Sequence, residues 1–246
     1  MKLFLTSSIG GSYKENGKRY PTMLDGSNDF VELLKSMWKE EMSCLLIAAA
    51  PADYETNDSI ASIFQTAFML SGVPLSHIDI CDNRRAGITA QELANYGIII
   101  LCGGHVPTQN AYFHTIGLSE KIEDYDGIVI GYSAGSMNCA NLVYAMPELD
   151  GESLNPDYKR FILGLGISDH IIIPHFGFLK GEWLDGKRCI EDIALPDSEG
   201  KEFIALTDGS YIFVENGKSV LHGEAYLLRN GSIRPLCEHG QYVELH

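Results

Sequence analysis

The sequence contains no long hydrophobic run. No stretch approaches the roughly 20 apolar residues that a transmembrane helix requires, which argues against a membrane protein. The apolar run within residues 1–8 is too short for a signal peptide and favours a first strand instead. From these absences we expect a soluble, cytoplasmic protein.

Basic residues are scarce. Lys and Arg number 18 against 33 Asp and Glu, so the formal net charge is −15. A field of this sign disfavours binding to nucleic acid and to anionic membrane surfaces. It also repels anionic substrates at long range. An acidic substrate would therefore need a local cationic pocket.

The six cysteines form no metal-binding or redox motif. They are scattered without a C-x-x-C pair or zinc-ligand spacing, and no H-E-x-x-H motif occurs. Cys44 and Cys102 lie in apolar, strand-like runs, which predicts buried free thiols and fits a reducing compartment. We expect neither a metal nor a cofactor.

Apolar runs alternate with helical patterns over the first half of the chain. The strands predicted from these runs are residues 2–6, 44–50, 76–80, 98–101 and 127–130. Helical spacing marks segments 30–38 and 60–68, and Thr89 with Glu92 forms a capping box. This alternation predicts a three-layer α/β/α fold with a doubly wound, mostly parallel sheet, in a single domain over residues 1–246.

The pattern changes to short strands after about residue 200. The candidate strands are residues 203–206, 211–214, 219–222 and 225–228. Asn-Gly pairs at 216–217 and 230–231 lie between them and are typical of two-residue hairpin turns. We therefore expect antiparallel strands in the carboxyl third, extending the main sheet.

The motif GYSAG at residues 131–135 is the strongest indication of chemistry in the chain. It follows an apolar strand and precedes residues that can begin a helix. This is the setting of a nucleophile elbow, in which a tight turn exposes a serine at the carboxyl edge of a parallel sheet. Glycines flank the serine because a Cβ there would collide with a neighbouring strand or helix. Ser133 is therefore a candidate nucleophile, and the alternative is an ordinary turn that contains serine.

A serine nucleophile needs a base and an orienting acid. His175 follows the apolar run at 171–174, so it is expected at a strand's carboxyl end, on the same edge as Ser133. His170 lies before that run, at the opposite end, and is expected to be structural or exposed. Asp208 follows the strand at 203–206 and is the candidate acid, the alternative being a simple turn signal.

The nucleophile also needs donors for the oxyanion. Gly103 and Gly104 follow the strand at 98–101, where glycines let backbone N–H groups approach a developing negative charge. The second donor is expected to be the N–H of Ala134, directly after the nucleophile. An unremarkable turn between a strand and a helix is the alternative for the two glycines.

Together these motifs resemble the peptidase E (aspartyl dipeptidase) family. The matching segments, in the family's order and spacing, are CGG at 102–104, GYSAG at 131–135, IPHF at 173–176 and DGSY at 208–211. The resemblance implies a fold akin to class I glutamine amidotransferases and a metal-free serine peptidase that cleaves short peptides after an amino-terminal aspartate. It implies Ser133 as nucleophile, His175 as base and Asp208 as orienting acid. Gly104 and Ala134 are implied as oxyanion donors.

The chain departs from the family pattern in three places. An aspartate beyond the nucleophile, once a candidate acid in the family, aligns with Ala145 and leaves Asp208 in that role. The family's GGGNT loop reads CGGHVPT at 102–108. The aspartate-recognising arginine has no clean match, so Lys187 or Arg188 is the candidate for substrate binding, and an ordinary solvated charge is the alternative for each. Lys180 is a weaker candidate. We expect a small-peptide hydrolase whose aspartate selectivity is weakened or redirected.

Two other classes of function remain open at this point. An α/β-hydrolase esterase has the chain order nucleophile, acid, histidine, which Ser133, Asp208 and His239 would satisfy. A non-catalytic binding protein on the same scaffold is the second, because fold does not fix function. The expected partner is a short peptide, and the chain is expected to be a monomer or a homodimer.

Overall fold

The computed structural model describes residues 1–40, 42–85 and 87–245. Within these residues the strands are β1 (Lys2–Thr6), β2 (Gly10–Glu15), β3 (Lys18–Leu24), β4 (Cys44–Ile47), β5 (Ile78–Cys81), β6 (Ile98–Leu101), β7 (Ile128–Tyr132), β8 (Leu142–Tyr144), β9 (Phe161–Leu163), β10 (Ile171–Ile173), β11 (Trp183–Leu184), β12 (Lys187–Arg188), β13 (Glu202–Leu206), β14 (Tyr211–Glu215), β15 (Lys218–His222), β16 (Ala225–Arg229), β17 (Ser232–Cys237) and β18 (Tyr242–Leu245). The α-helices are α1 (Phe30–Ser36), α2 (Tyr54–Leu70), α3 (Ala90–Leu93), α4 (Val106–Thr115), α5 (Leu118–Ile122), α6 (Ala134–Met137), α7 (Phe176–Leu179) and α8 (Leu195–Asp197). None of the helices in these ranges combines the length and the apolar character needed to cross a membrane.

The central sheet has eight strands in the order β18-β15-β14-β1-β7-β6-β4-β5. From β1 to β5 in this order the strands are parallel, whereas β14, β15 and β18 add antiparallel neighbours at one edge. Leu45 of β4 faces a core formed with α3, α4 and α5, and Leu46 faces a second core formed with α1 and α2. The predicted fold class is therefore confirmed. Cys44 and Cys102 are buried free thiols, as predicted.

Local side-chain signals decide where two helices begin. Thr89 Oγ1 accepts the N–H of Glu92 at 3.2 Å, and the Glu92 carboxylate accepts the N–H of Thr89 at 2.8 Å. The predicted capping box at the start of α3 is thus confirmed. Helix α2 begins before the predicted segment 60–68, because Asp53 accepts the N–H of Thr56 at 3.2 Å and caps an earlier start.

Part of the carboxyl third lies in a second sheet, and the expectation that it extends the main sheet is wrong for these strands. Strands β13 and β16 were predicted to extend the main sheet but lie in a separate sheet of order β10-β13-β16-β17. One face of this sheet has a core of its own, in which Phe203 of β13 stacks on Tyr144 with ring centroids 4.5 Å apart, and the other face joins a core of the main sheet through Ile204. Because β10 and β13 are parallel neighbours, the residues that follow them emerge side by side. His175 and Asp208 are two of these residues.

The hairpin of β2 and β3 is absent from the sequence-based prediction. Its turn residues Asn16 and Gly17 have φ of 48° and 79°, as a two-residue type I′ turn requires. At its base Gly11 packs on α2, where an added Cβ would lie 3.3 Å from the Phe64 ring and 3.2 Å from the Ala67 methyl group. The hairpin is thereby held beside the carboxyl ends of the central strands.

Candidate active site

A cavity of about 740 Å³ opens at the carboxyl ends of the central strands. Ser133, His175, Gly103 and Gly104 line it, together with the β2–β3 hairpin and the first half of α2. A larger cavity of about 970 Å³ lies between the second sheet and the antiparallel edge of the main sheet, and its described lining includes none of the predicted site residues. The cavity that brings Ser133, His175 and Gly104 together is therefore the candidate active site.

Ser133 has the backbone of a nucleophile elbow. It lies between β7 and α6 with φ of 52° and ψ of −120°, a conformation that side-chain-bearing residues rarely adopt. Its N–H donates to the Thr6 carbonyl at 3.1 Å, and the Ser136 hydroxyl lies 2.7 Å from the carbonyl oxygens of Thr6 and Gly131. Such backbone strain costs on the order of 1–3 kcal/mol and persists where the surrounding structure fixes it, often at a functional position.

The two glycines of the motif are required by close packing on both sides of the turn. An added Cβ on Gly131 would lie 2.7 Å from the Ser136 nitrogen in α6. One on Gly135 would overlap the Leu101 carbonyl at the end of β6. The predicted collision with a neighbouring strand and helix is confirmed. These contacts let α6 start directly against the sheet and hold the serine at its edge.

His175 and Asp208 form a hydrogen-bonded pair. His175 Nδ1 lies 2.7 Å from Asp208 Oδ1, with the two side chains 37% and 57% exposed. This hydrogen bond lowers the pKa of the Asp208 carboxyl, a bond from Ser7 acts in the same direction, and partial burial opposes both. The carboxylate is thus ionised at neutral pH and can only accept, so Nδ1 carries the proton and Nε2 is left as a base.

Ser7 is a site residue that sequence reasoning missed. Its fully buried hydroxyl accepts the His175 backbone N–H at 2.7 Å and donates to Asp208 Oδ1 at 2.7 Å. It therefore ties both members of the pair to the end of β1, the strand next to β7. The available signal was its position directly after a buried strand, the same rule that selected His175 and Asp208.

Ser133 and His175 face the same cavity without a hydrogen bond between them. Across the described ranges, the hydrogen bond of the His175 ring goes to Asp208, and no bond joins the ring to Ser133 Oγ. Catalytic hydrogen bonds are commonly long in an unliganded site and shorten when substrate binds. The geometry thus supplies a preformed acid–base pair beside the serine.

The two expected oxyanion donors are the backbone N–H groups of Gly104 and Ala134. Within the part of the chain that the structure describes, the N–H groups of Gly104 and Ala134 donate to no backbone or side-chain acceptor. An added Cβ on Gly103 would lie 2.7 Å from the Tyr132 ring and 3.1 Å from Ser133 Cβ. The glycine loop after β6 thus packs directly against the nucleophile turn, where its amides can meet a developing charge.

We predict that Gly103→Ala lowers kcat by at least about 10-fold, because the new methyl group displaces Tyr132 or Ser133 from the catalytic geometry. The matched control is Gly26→Ala, since an added Cβ at Gly26 meets nothing within 4 Å. Steady-state kinetics with both variants, each checked for an unchanged thermal unfolding curve, measures the effect. Equal kinetics of Gly103→Ala and the wild-type protein would contradict the prediction.

The three candidate substrate-reading cations are engaged elsewhere. Lys187 Nζ donates to the Ser153 carbonyl at 2.9 Å, and Arg188 pairs with Asp192 at 2.7 Å. Lys180 Nζ lies over the Phe176 ring, 5.1 Å from its centroid. None of the three is among the described residues that line the cavity of Ser133.

His239 also lies apart from the cavity. It is exposed, and it is not among the described lining residues, while Asp208 bonds to His175. The acid–histidine pair that the esterase alternative requires is therefore not formed among the described residues. In those same residues no group of three or more His, Cys, Asp or Glu side chains is placed to hold a metal ion.

Comparison with known proteins gives a family and a fold. The profile of peptidase family S51 matches residues 21–222. The chain is similar to a peptidase from an acI-B1 Actinobacterium, with 15% identity and a TM-score of 0.68 over 99% of this chain and 96% of the other. It is also similar to a candidate peptidase E from Listeria monocytogenes EGD-e, with 15% identity and a TM-score of 0.57 over 96% and 98%. Curated protein sequences give no significant match.

Proposed function

The chain belongs to peptidase family S51, and on this premise we propose that it is a serine-type peptidase that hydrolyses short peptides. The family match confirms the resemblance drawn from the sequence motifs. The observation that carries the serine-type assignment is the strained Ser133, which faces one cavity with His175, whose ring is hydrogen-bonded to Asp208. This arrangement supports His175 rather than His239 as the base.

In the proposed first step, His175 Nε2 removes the proton of Ser133 Oγ as the oxygen attacks the scissile carbonyl. Asp208 holds the imidazole by Nδ1 and compensates the positive charge that forms on it. The N–H groups of Gly104 and Ala134 stabilise the tetrahedral oxyanion. His175 then donates its proton to the leaving amine, and the same residues activate water to hydrolyse the acyl-enzyme.

The proposed substrates are short peptides with an amino-terminal aspartate. Support comes from family membership, and the cavity of about 740 Å³ has a suitable volume for a dipeptide. The preference for aspartate rests on family membership alone at this point, because Lys187 and Arg188, the cations expected to bind the aspartate carboxylate, are not among the described residues that line the cavity.

A panel of dipeptides that differ only in the first residue tests this function. We expect hydrolysis of at least the Asp-initiated member, detected as release of the second amino acid and lost on removing Ser133. Hydrolysis of an Ala-initiated peptide at a similar rate would support a peptidase with redirected selectivity. Hydrolysis of carboxylic esters alone would favour the esterase alternative, and no turnover of any member would favour a binding protein.

We predict that Asp208→Ala lowers kcat/KM by about 10²–10⁴-fold, less than loss of serine or histidine, because it removes orientation and charge compensation only. The lowered pKa of Asp208 keeps its carboxylate ionised to below the usual carboxyl range, so the wild-type protein should keep the contribution of Asp208 at every pH above that range. Steady-state kinetics of both proteins measured between about pH 5 and about pH 9, above the usual carboxyl pKa of about 4, checks this. Near-normal activity of Asp208→Ala would remove Asp208 from the mechanism.

A further inference from the structure

Two cations of the β2–β3 hairpin face the catalytic cavity. Gly10, Ser12 and Lys14 alternate along β2, as residues on one face of a strand do, and all three line the cavity that contains Ser133. Arg19 of β3, directly across from Lys14, lines it too. The neighbouring Lys18 of the same hairpin does not belong to the described lining.

The pairing of Lys14 with Arg19 is electrostatically unfavourable in the unliganded protein. Like charges directly opposite each other on antiparallel strands destabilise a hairpin. Among the described residues neither side chain forms a salt bridge, and Arg19 donates one hydrogen bond, to Ser12 Oγ at 3.3 Å. Five of the other six arginines of this acidic chain pair with carboxylates in the described residues, and Arg234 does not; the five are Arg84, Arg85, Arg160, Arg188 and Arg229. The uncompensated pair fits a cavity that receives an anion.

Arg19 shares the lining of the cavity with Tyr132, which directly precedes Ser133. Among the described lining residues the one carboxylate is Glu55 of α2, and it forms no salt bridge with either cation within the described ranges.

We propose that Arg19, assisted by Lys14, binds a carboxylate of the peptide substrate. The proposal rests on the peptidase function proposed above and assigns its substrate recognition to the hairpin. A guanidinium can hold a carboxylate through two parallel charge-assisted hydrogen bonds. Contact of this kind overcomes the long-range repulsion from a chain of net charge −15, because screening weakens that repulsion beyond about 8–10 Å. The carboxylate is that of an amino-terminal aspartate side chain or that of the peptide's carboxyl terminus.

Binding measured in a Ser133→Ala background separates recognition from turnover. The affinities of Asp-Ala, Asn-Ala and Asp-Ala amide are determined by titration calorimetry for this protein and for the same protein carrying Arg19→Gln. The matched control is Lys18→Gln, which removes one charge from the same hairpin outside the cavity lining. Arg188→Gln tests one of the two cations that the family resemblance offered.

We expect the background protein to bind Asp-Ala about 10-fold or more tightly than one of the neutral analogues. Arg19→Gln should abolish this preference, whereas Lys18→Gln and Arg188→Gln should retain it. A preference over Asn-Ala identifies the aspartate side chain as the bound carboxylate, and a preference over the amide identifies the carboxyl terminus.

Equal affinities for the three peptides, or no detectable binding of any of them, would overturn the proposal. So would a preference for Asp-Ala that survives Arg19→Gln. A loss of that preference with Lys18→Gln as large as the loss with Arg19→Gln would also overturn it. Hydrolysis of the same peptides by the protein that retains Ser133 reports separately on the peptidase function. Binding that depends on Arg19, without hydrolysis, would refute the peptidase function and leave the anion site supported. Hydrolysis without an effect of Arg19→Gln on binding would support the peptidase function and refute the anion site.

Discussion

Replacing Ser133 by alanine is expected to lower kcat for peptide hydrolysis by about 10⁵-fold or more. The substitution removes the nucleophilic oxygen, and neither His175 nor Asp208 can take over bond formation to the substrate carbonyl. Any residual rate would come from the oxyanion donors and from substrate positioning. Steady-state kinetics with the best dipeptide of the panel, using enzyme concentrations high enough to detect slow turnover, measures the loss.

The Ser133→Ala protein should remain folded, because among the described residues the Ser133 hydroxyl takes part in no hydrogen bond. The turn itself is held by the Ser133 N–H bond to Thr6 and by the Ser136 hydroxyl, and both persist in the variant. Thermal unfolding monitored by circular dichroism is the control. A well-folded Ser133→Ala protein with near-normal peptidase activity would refute the serine mechanism.

Replacing His175 by alanine should lower kcat by a similarly large factor, about 10⁵-fold, because serine is a weak nucleophile without a base. The matched control is His239→Ala, which removes a histidine of equal size from an exposed position outside the cavity lining. We expect this control to leave kcat/KM within about 2-fold of the wild-type value.

The pair of histidine variants also decides between the two enzyme classes. A large loss with His239→Ala, together with near-normal activity of His175→Ala, would favour the esterase order of residues. The backbone of His175 makes a stability measurement necessary for the first variant, because the residue has a left-handed conformation with φ of 54°. His175→Asn serves as a second variant, since asparagine tolerates that conformation better than alanine.

The central part of the fold follows from the sequence because its signals are local. β4 and β6 are apolar throughout and therefore read as buried parallel strands, and the capping box at Thr89 specifies the start of α3. The second sheet could not be predicted in this way. Strand β13 pairs with β10 rather than with a strand of the main sheet, and this pairing depends on long-range packing such as that of Phe203 on Tyr144.

The site residues that could be predicted are likewise those with a local sequence signal. Ser133 was found through the GYSAG motif after β7, and Asp208 because it follows a strand, β13, although the structure places these two strands in different sheets. Ser7 satisfied the same rule at the end of β1 but lacked a recognisable motif. The β2–β3 hairpin was missed although Asn16-Gly17 is a hairpin signal, because its strands are mostly exposed and carry no apolar alternation.

Local sequence patterns also could not identify the cations that line the cavity. Lys187 and Arg188 were chosen by alignment with a family segment, whereas the side chains that line the cavity are Lys14 and Arg19. Their approach to Ser133 depends on how the hairpin packs against α2 at Gly11. Only the tertiary structure brings these distant segments together.

Covalent labelling tests the central claim, that Ser133 is the activated nucleophile. The wild-type protein and the Ser133→Ala variant are treated with a fluorophosphonate, and the modified residue is identified by intact mass and peptide mapping. We predict a single adduct on Ser133, formed at a rate that falls with His175→Ala, and no adduct on the Ser133→Ala variant. An adduct on a different residue, or an unmodified wild-type protein that still hydrolyses peptides, would contradict the claim.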